Sequence, residues 1–304
     1  AENPKEIYRQ ISTINLHHHI IKSQSTTVAV QQVFNRKQYI DLIKQLQKHI
    51  QRGDCYEINF CQQFIAHNAG IDAIATFHKL NSVSPNPFAS LYKLNKKYCI
   101  AASPERFLKK TGYQLISQPI KGTAKRNAQN CVLDNQNKTA LSDSQKERSE
   151  NVMIVDLVRN DLSRVCKAGS VTVKELCGIY TFPQVFQMIS TIQGELPADI
   201  HWADAIKVCF PMGSMTGAPK KRVMELIDQY EEIGRGLFSG SIGYITPQSN
   251  FDFNVVIRSI FYDEENQKLS YAAGGGITFN SIAENEYEES LLKAAAIKQV
   301  LENQ

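Results

Sequence analysis

Apolar and polar residues follow a helical pattern between Lys146 and Arg164, in the stretch KERSENVMIVDLVRNDLSR. The stretch opens with charge, runs through Val152–Val158 with Asp156 as its polar interruption, and closes on an Arg-Asn-Asp triplet. This length and bias predict a mostly buried helix. Because such a helix is too apolar to be surrounded by water, we expect the rest of the chain to pack around it.

Other helices are predicted from the same signals. Asn35–Gln51 places apolar residues at helical spacing, and Gly53 is expected to end that helix. Asn280–Asn303 starts with Ser281 and Glu284, which form an S-x-x-E capping box. Shorter helices are predicted at Glu6–Ile11, Ile71–Asn81, Trp202–Phe210 and Lys221–Glu232.

Most remaining patterned segments alternate apolar and polar residues, as strands do. Predicted strands are Val28–Val33, Cys55–Ala66, Phe88–Leu94, Lys97–Ala102, Ser170–Leu176, Val185–Gln193, Ser239–Thr246, Asn250–Tyr262 and Lys268–Ala273. The polar stretch 124–145 predicts a long loop. Because the strands are mostly joined as hairpins, the pattern predicts an α+β fold with antiparallel sheets. No domain boundary is apparent within residues 34–304.

Composition excludes several classes of protein. The 304 residues include 34 basic and 30 acidic side chains, and a net charge of +4 that is evenly spread does not indicate nucleic-acid binding. The seven cysteines are scattered without a CxxC pair, which is typical of core residues in a reducing compartment, here the cytoplasm. There is no membrane-spanning run, signal-peptide pattern, P-loop, dinucleotide fingerprint or zinc motif.

Two pairs of acidic residues are candidates for a metal site. Glu147 and Glu150 are three residues apart on the predicted buried helix, and Glu286 and Glu289 repeat that spacing near the C-terminus. Four carboxylates from two helices suit one hard divalent cation, and all-oxygen ligation favours Mg²⁺. The alternative is that acidic residues in first turns only complement the helix dipole.

Lys121 and Glu105 are candidates for catalysis. Lys121 lies between Ile120 and Gly122, where it is either a solvated surface charge or an amine nucleophile. The second role requires a neutral amine, and burial or a neighbouring cation would lower its pKa. Glu105 is either a general acid, if it is partly desolvated, or an ion-pair partner of Arg106.

A further set of residues is suited to binding anions. Arg258 fits a carboxylate clamp, or else a structural pair with Asp252. Tyr244 is either a core residue or a donor to a carboxylate. Gly274–Gly276 either presents backbone amides to an anion or forms a tight turn. Thr216 lies at a second anion-friendly edge, just before the predicted Lys221–Glu232 helix.

Taken together, these segments resemble the chorismate-utilising enzymes, a family that includes anthranilate synthase component I, aminodeoxychorismate synthase component I, and the isochorismate and salicylate synthases. The resemblance runs from about Phe34 to Leu301. The matching stretches occur in the family's order: GDCYEINF, SPERF, PIKGT, KERSENVMIVDLVRND, GSMTGAPK, GSIGY, VVIRS, AGGGI and ENEYEESLLKA. Residues 1–33 are similar to the tail of the region that precedes this domain in longer relatives, and residues 34–304 correspond to the chorismate-binding catalytic domain.

The resemblance implies two packed, mainly antiparallel sheets flanked by helices, with a Mg²⁺-dependent reaction on chorismate in the cleft between them. The family's roles fall on the residues already singled out and on one more. The implied metal ligands are Glu147, Glu150, Glu286 and Glu289; the general acid is Glu105; and the substrate contacts are Thr216, Tyr244, Arg258, Gly274, Gly275, Gly276 and Lys293.

Lys121 discriminates among the members of the family. Aminodeoxychorismate synthases often carry lysine in the PIxGT motif, whereas anthranilate synthases usually carry alanine. The implied lysine adds to C2 of chorismate as the C4 hydroxyl leaves, and ammonia then attacks C4 to give 4-amino-4-deoxychorismate, on the route to p-aminobenzoate and folate. Glu57 replaces the lysine of the water-using members, and Gln187 replaces a histidine that is tied to pyruvate elimination.

The favoured hypothesis is therefore an aminating subunit that receives ammonia from a glutamine amidotransferase partner. The rival enzyme is anthranilate synthase component I, which aminates C2 and eliminates pyruvate. A rival of another class is an inactive chorismate-binding or partner-docking module. A third is a structural protein whose glutamate pairs only complement helix dipoles.

Overall fold

The computed structural model of the chain describes residues 3–13, 28–127 and 129–302, without the side chain of Ile11. Its strands form two seven-stranded sheets in which every pairing is antiparallel. Helices pack against both sheets. The predicted α+β class with two antiparallel sheets is confirmed.

Helices and strands are numbered in the order in which they occur along the chain. The helices are α1 Pro4–Thr13, α2 Arg36–Gln51, α3 Ala73–Val83, α4 Cys131–Asp143, α5 Gln145–Ser163, α6 Trp202–Cys209, α7 Lys220–Tyr230 and α8 Ala283–Glu302. The strands are β1 Gln31–Gln32, β2 Glu57–Ala66, β3 Phe88–Leu94, β4 Lys97–Ser103, β5 Arg106–Thr111, β6 Gln114–Gln118, β7 Ile120–Lys125, β8 Thr172–Thr181, β9 Val185–Glu195, β10 Gly217–Ala218, β11 Gly243–Ile245, β12 Phe251–Asn254, β13 Ser259–Asp263 and β14 Lys268–Ile277.

The two sheets are called sheet A and sheet B. Sheet A has the order β1-β2-β14-β13-β4-β3, with β10 also paired to β2. Sheet B has the order β11-β12-β5-β6-β9-β7, with β8 also paired to β9. Strands β2 and β7, which carry the first candidate site residues, therefore belong to different sheets.

Helix α5 packs into an apolar cluster that reaches both sheets. Ile154 and Leu162 of α5 lie with Leu108 and Leu115 of sheet B and with Ala272 of sheet A. The Ser144 hydroxyl caps the helix by accepting a hydrogen bond from the Glu147 backbone N–H at 3.3 Å. Burial of the apolar face fixes the helix, so the carboxylates on its first turns are fixed as well.

Helix α8 packs on sheet A. Ile297 and Leu301 of α8 share a cluster with Leu80 of α3 and with Ile100 and Ile260 of the sheet. The N-terminal part of α8 contacts helix α2, where Tyr287 and Tyr39 have ring centroids 5.6 Å apart. The second pair of acidic residues is thus held against sheet A, as the first is held by α5.

Two of the places where the chain crosses between the sheets lie side by side. It leaves sheet A through Pro104-Glu105 and returns to it through 255–258. The Ser103 hydroxyl donates to the Val255 carbonyl oxygen at 2.6 Å, and the Val255 N–H donates to the Glu105 carbonyl oxygen at 3.0 Å. The Ala102 N–H also donates to the Arg258 carbonyl oxygen at 3.1 Å, so these hydrogen bonds bring Glu105 and Arg258 to one seam.

The prediction of one strand over Asn250–Tyr262 is wrong. Strand β12 belongs to sheet B and β13 to sheet A, and Arg258 between them has φ +53°. Apolar and polar residues keep alternating through the crossing, so the pattern gives no sign that the chain changes sheets. A left-handed backbone at a non-glycine residue is costly, and the crossing holds it in place.

The stretch 124–145, which the sequence predicts to be a loop, contains helix α4. Asn130 caps this helix by accepting hydrogen bonds from the N–H groups of Val132 and Leu133, both at 3.1 Å. Most α4 side chains are exposed, and Leu141 is its buried residue. A helix with so little apolar surface to bury shows no hydrophobic period, which is why the pattern missed it.

Three other predictions need correction. Strand β1 comprises two residues, whereas Val28–Val33 was expected. The capping box at Ser281 is absent, because α8 starts later and the Ser281 hydroxyl donates to Glu286 Oε1 at 2.8 Å. Gly274–Gly276 lies inside strand β14, where it pairs with β2, and is not a turn.

Residues 1–2 and 14–27 of the predicted N-terminal segment, and Asn303 of the predicted last helix, lie outside the described residues.

None of the helices in the described part of the chain is long and apolar enough to cross a membrane.

We expect Gly274→Ala to destabilise the protein. A Cβ at this position would collide with the Phe60 carbonyl oxygen and lie 2.6 Å from Cys61 Cα, so strands β14 and β2 would have to separate. The free energy of unfolding, measured by urea denaturation, should fall by about 1–3 kcal/mol or more. Gly70→Ala is the control, because a Cβ there meets nothing within 4 Å and should change that free energy by less than ~0.5 kcal/mol. Equal values for the two variants would contradict the close approach of these strands.

Candidate active site

Lys121 and Glu57 form a buried ion pair between the sheets. Lys121 Nζ of β7 lies 2.6 Å from Glu57 Oε1 of β2, and the exposed fractions of the two side chains are 11% and 1%. The backbone around Lys121 is held by Asn151 of α5, whose amide donates to the Lys121 carbonyl oxygen at 3.3 Å. Lys121 is therefore not a solvated surface charge. The structure places it at the interface of both sheets and α5.

The two predicted pairs of glutamates are brought together. Lys146 Nζ lies 3.9 Å from Glu150 Oε1 on its own helix and 3.5 Å from Glu286 Oε1 on α8. A Cβ placed at Gly275 would lie 3.3 Å from Glu286 Oε2 and 3.5 Å from Glu289 Oε1. One lysine therefore contacts both helices, and the second pair lies against the bare backbone of β14.

The side chains of Glu147, Glu150, Glu286 and Glu289 are called the carboxylate cluster. Burial and neighbouring like charges both raise the pKa of Glu147 and of Glu150. Burial raises the pKa of Glu150 to about 7, with further contributions from the carboxylates of Glu57 and Glu147. Burial also raises the pKa of Glu147, with Glu289 adding to the effect. Nearby lysines oppose these pKa shifts, because their positive charge favours the ionised carboxylates.

The carboxylate cluster has the donor atoms that a hard divalent cation prefers. All its donors are oxygens, and Glu150 Oε1 is buried without a hydrogen-bond partner. Among the described residues, however, no three His, Cys, Asp or Glu side chains are arranged closely enough to hold a metal ion as they stand. The carboxylates are neighbours that Lys146 bridges, and a cation would have to draw them closer.

Glu105 lies in the seam where the chain crosses between the sheets, with 4% of its surface exposed. Burial raises its pKa to about 7, against the opposing effects of the Ser214 hydroxyl, Lys121 and the Ile120 N–H. Arg106, the alternative partner from sequence, instead makes two hydrogen bonds to Asp252 at 2.8 and 2.9 Å. Glu105 is thus a desolvated carboxyl that holds a proton near neutral pH, which suits a general acid.

The pKa of Lys121 moves opposite to the expected direction. Burial by itself lowers the pKa of this lysine, but the carboxylates of Glu57, Glu150 and Glu289 outweigh burial and raise the pKa above its ordinary value. The sequence carries no sign of this, because all three carboxylates lie on other elements. In the resting protein Lys121 is an ammonium group and requires a proton acceptor before it can act as a nucleophile.

Arg258 is half-buried and has no hydrogen bond or ion pair to any described residue through its guanidinium. Burial lowers the pKa of this group, and Glu289 opposes the shift. The alternative pair with Asp252 is wrong, since Asp252 binds Arg106. A partly desolvated cation without a partner is suited to an anionic ligand.

The three glycines of β14 form a side-chain-free strip beside these groups. A Cβ at Gly276 would collide with Lys121 Nζ and lie 2.5 Å from Glu57 Oε1. Lys293 Nζ donates to the Gly274 carbonyl oxygen at 2.9 Å and lies 2.7 Å from Glu289 Oε1. The strip lets the ion pair and the carboxylates approach the backbone, so the glycines and Lys293 belong to the same site.

Thr216 and Tyr244 are placed differently from the rest. Thr216 is buried, and its hydroxyl donates to the Met212 carbonyl oxygen at 2.9 Å. Its own carbonyl oxygen accepts from the Asn59 N–H at 2.7 Å, which ties it to β2 beside Glu57. Tyr244 lies on the edge strand β11 of sheet B with 64% of its surface exposed. It is therefore not a core tyrosine, and its hydroxyl makes no hydrogen bond to the described residues around Lys121.

Sequence reasoning missed two members of the site. Glu57 was noted as a departure from the family pattern but not as the partner of Lys121, and Lys146 was not singled out at all. The sequence gives no clear signal for Glu57, because it alternates with Tyr56 and Ile58 as a residue on the polar face of a strand would. Gln187, the second departure, is buried, and its Oε1 atom has no hydrogen-bond partner.

Comparison with known proteins identifies a family and several relatives. A family model described as chorismate binding enzyme matches residues 2–299. The chain is 40% identical to aminodeoxychorismate synthase component 1 of Escherichia coli (strain K12) over 267 residues, which cover 88% of this chain and 58% of that protein. It is 33% identical to anthranilate synthase component 1 3 of Haloarcula marismortui over 300 residues, which cover 97% of this chain and 59% of that protein.

A solved structure shows the same fold. Anthranilate synthase component I from Streptococcus pneumoniae TIGR4 matches with a TM-score of 0.82 and 25% identity, over 98% of this chain and 67% of that one. The chain spans about three fifths of the length of these two curated relatives. The resemblance inferred from the ordered motifs is confirmed, and the chain belongs to the family of chorismate-binding enzymes.

Proposed function

We propose that this chain aminates chorismate at C4 with ammonia to give 4-amino-4-deoxychorismate, in a Mg²⁺-dependent reaction through a covalent bond to Lys121. The product lies on the route to p-aminobenzoate and folate. The observation that carries the proposal is the position of Lys121, which is buried between the sheets. Glu105, the carboxylate cluster and the glycine strip all lie around it. Identity of 40% to aminodeoxychorismate synthase component 1 supports it.

Chorismate carries two carboxylates, and the site has separate groups for them. Arg258 offers an unpaired guanidinium at the seam between the sheets. Glu147, Glu150, Glu286 and Glu289 would hold Mg²⁺, which supplies a positive charge that orients and neutralises a carboxylate of the substrate. The glycine strip leaves room for a ring to lie close to the backbone of β14. The exposed Tyr244 and the buried Thr216 remain proposed contacts from the resemblance.

The proposed chemistry uses Lys121 and Glu105 in turn. The Lys121 amine forms a bond to C2, the ring double bonds shift, and the C4–O bond breaks as Glu105 donates a proton, so that the hydroxyl leaves as water. Ammonia then forms a bond to C4 as the double bonds shift back and the C2–N bond to Lys121 breaks. The ammonium first formed at C4 gives a proton back to the Glu105 carboxylate. Overall, chorismate and ammonia give aminodeoxychorismate and water, and the enolpyruvyl group is retained.

Two further points concern the reaction's partners and its closest rival. We propose that a glutamine amidotransferase subunit supplies the ammonia, because the E. coli relative carries the designation component 1, which implies a second component. Anthranilate synthesis is the second candidate function, supported by the relatives of that name. The lysine in the PIKGT motif favours amination at C4, because it supplies a nucleophile that the alanine of anthranilate synthases lacks.

Lys121→Ala should abolish formation of aminodeoxychorismate from chorismate, Mg²⁺ and ammonium, because no other amine occupies its position. Binding of chorismate, measured by calorimetry, should remain. Lys125→Ala on the same strand is the control, since Lys125 is exposed and should be dispensable. Product is identified by mass spectrometry, and released pyruvate is measured with lactate dehydrogenase. Full amination by Lys121→Ala would contradict the covalent role, and pyruvate release by the unaltered protein would favour anthranilate synthesis.

The proton on Glu105 should leave a signature in the pH dependence of stability. With a pKa of about 7 when folded and 4.5 as the reference value, the folded state binds more protons between these values. Its contribution to stability is therefore present below pH 4.5 and is lost as the pH rises through 7. Glutamine cannot titrate, so in Glu105→Gln the free energy of unfolding should no longer fall by the roughly 3 kcal/mol that this shift predicts at about 1.36 kcal/mol per pKa unit. Urea denaturation at pH 5 and pH 8 measures the difference, and the exposed Glu232→Gln should behave as the unaltered protein.

Removing one carboxylate from each helix should weaken Mg²⁺ binding. Glu150→Gln and Glu286→Gln each delete a proposed ligand and should lower the affinity for Mg²⁺ in the presence of chorismate by roughly tenfold or more, measured by calorimetry. Glu288→Gln is the matched control, because Glu288 is an exposed neighbour on α8. If all three variants bound Mg²⁺ as tightly as the unaltered protein, the proposed metal site would be disproved.

A further inference from the structure

Glu57 is the group that contacts the Lys121 amine directly. Its Oε1 atom lies 2.6 Å from Lys121 Nζ, and its Oε2 atom is buried without a hydrogen-bond partner among the described residues. The Glu57 side chain is 1% exposed and shielded from water, whereas the Lys121 side chain is 11% exposed and keeps some access to solvent. An acceptor within hydrogen-bond distance can receive a proton without any movement of the side chains.

Other charged groups face Lys121 from each element that surrounds it. Glu150 acts from α5, Glu289 from α8, and Glu105 from the crossing between the sheets. Lys293, on α8, is paired with Glu289. These carboxylates influence Lys121 through space, and the hydrogen bond from its amine goes to Glu57. Glu57 is therefore distinguished by contact from the groups that act at longer range.

The backbone around the pair prevents it from rearranging. Gly276 of β14 pairs in register with Asn59 of β2, two residues after Glu57. A Cβ at Gly276 would collide with Lys121 Nζ and lie 2.5 Å from Glu57 Oε1, so the backbone itself covers the contact. Because both partners are packed in this way, the direction in which the amine points is set by Glu57.

We propose that Glu57 positions the Lys121 amine and accepts its proton when that amine attacks the substrate. This inference rests on the proposed function. The proton moves from Lys121 Nζ to Glu57 Oε1, which becomes a neutral carboxylic acid, and the freed electron pair forms the bond to C2 of the substrate. The hydroxyl that leaves C4 takes its proton from Glu105. When Lys121 is expelled from C2, Glu57 returns the proton, so the pair regains its resting charges.

The test compares Glu57→Gln and Glu57→Asp with the unaltered protein in the amination assay between pH 6.5 and 9.5, with the free ammonia concentration held constant. Glutamine keeps an oxygen for Lys121 but cannot take a proton. We expect kcat of Glu57→Gln to fall by roughly 10²–10⁴-fold near neutral pH and then to rise about tenfold per pH unit, since the amine must lose its proton to solvent. The KM for chorismate should change little, and Glu57→Asp should restore part of the rate.

Asp161→Asn serves as a control for breaking a buried ion pair, since Lys220 Nζ lies 2.6 Å from Asp161 Oδ2 in a similarly buried position. It should lower the melting temperature without changing the shape of the pH profile. A loss in Glu57→Gln that is equal at every pH, or an unchanged rate near neutral pH, would overturn the proposal. So would a failure of aspartate to restore any activity.

A second measurement separates this proposal from the proposed function. Labelling of Lys121 by trinitrobenzenesulfonate, followed by peptide mass spectrometry, reports the protonation of the amine without any catalysis. Glu57→Gln should shift the midpoint of labelling to lower pH, because the ammonium loses its nearest anion. If the unaltered protein makes no aminated product while the midpoint still shifts, the proposed function fails and the pairing stands. An unchanged midpoint overturns the role of Glu57 even if amination is observed.

Discussion

The contact between Lys121 and Glu57 is the interaction on which the candidate site depends. Each partner belongs to a different sheet, so the contact exists only when both sheets are folded and correctly placed. Removing two charges from water is costly, and their attraction compensates for the cost only while both are present. The pair therefore adds little net stability, but both partners are required together. Loss of either one would leave an uncompensated charge in the interior.

The glycine strip of β14 makes that geometry possible. Side chains at these positions would meet the backbone of β2, the lysine amine or the carboxylates of α8. A strand normally gains stability from packed side chains, and glycine gives up that gain. Here the loss lets ionisable groups from both sheets and from α8 lie against the main chain. The site is thus built around a stretch of bare backbone, and the charged groups are arranged along it.

The sequence predicts the parts of the fold that have a strong period. Helix α5 and the carboxylates at its start follow from apolar spacing, and so do most strands, because burial of one face leaves a record in the sequence. Helix α4 was missed since its surface is almost entirely exposed. The crossing at 255–258 was missed because a strand pattern is the same whichever sheet it joins.

The sequence indicates which residues lie together at the candidate site, but it does not indicate their electrostatics. Ordered motifs identified Lys121, Glu105 and the two glutamate pairs, and the structure brings these together. The pKa of Lys121 was not accessible from the sequence, because the carboxylates that raise it lie on β2, α5 and α8. Those neighbours are distant along the chain. Only the folded structure shows that their negative charge raises the pKa of Lys121 by more than burial lowers it.

The two adjacent crossings between the sheets have a consequence for the order in which the chain can fold. Sheet A is begun before the first crossing and completed after the second, and β4 and β13, which flank these crossings, are hydrogen-bonded neighbours. All strands of sheet B therefore lie on one long excursion whose ends meet, and β10 returns to sheet A within it. Closing this excursion has an entropic cost, and its ends are held together at the seam that contains Glu105 and Arg258. Sheet A is complete only when β13 pairs with β4, so the pairing that completes this sheet also forms the seam.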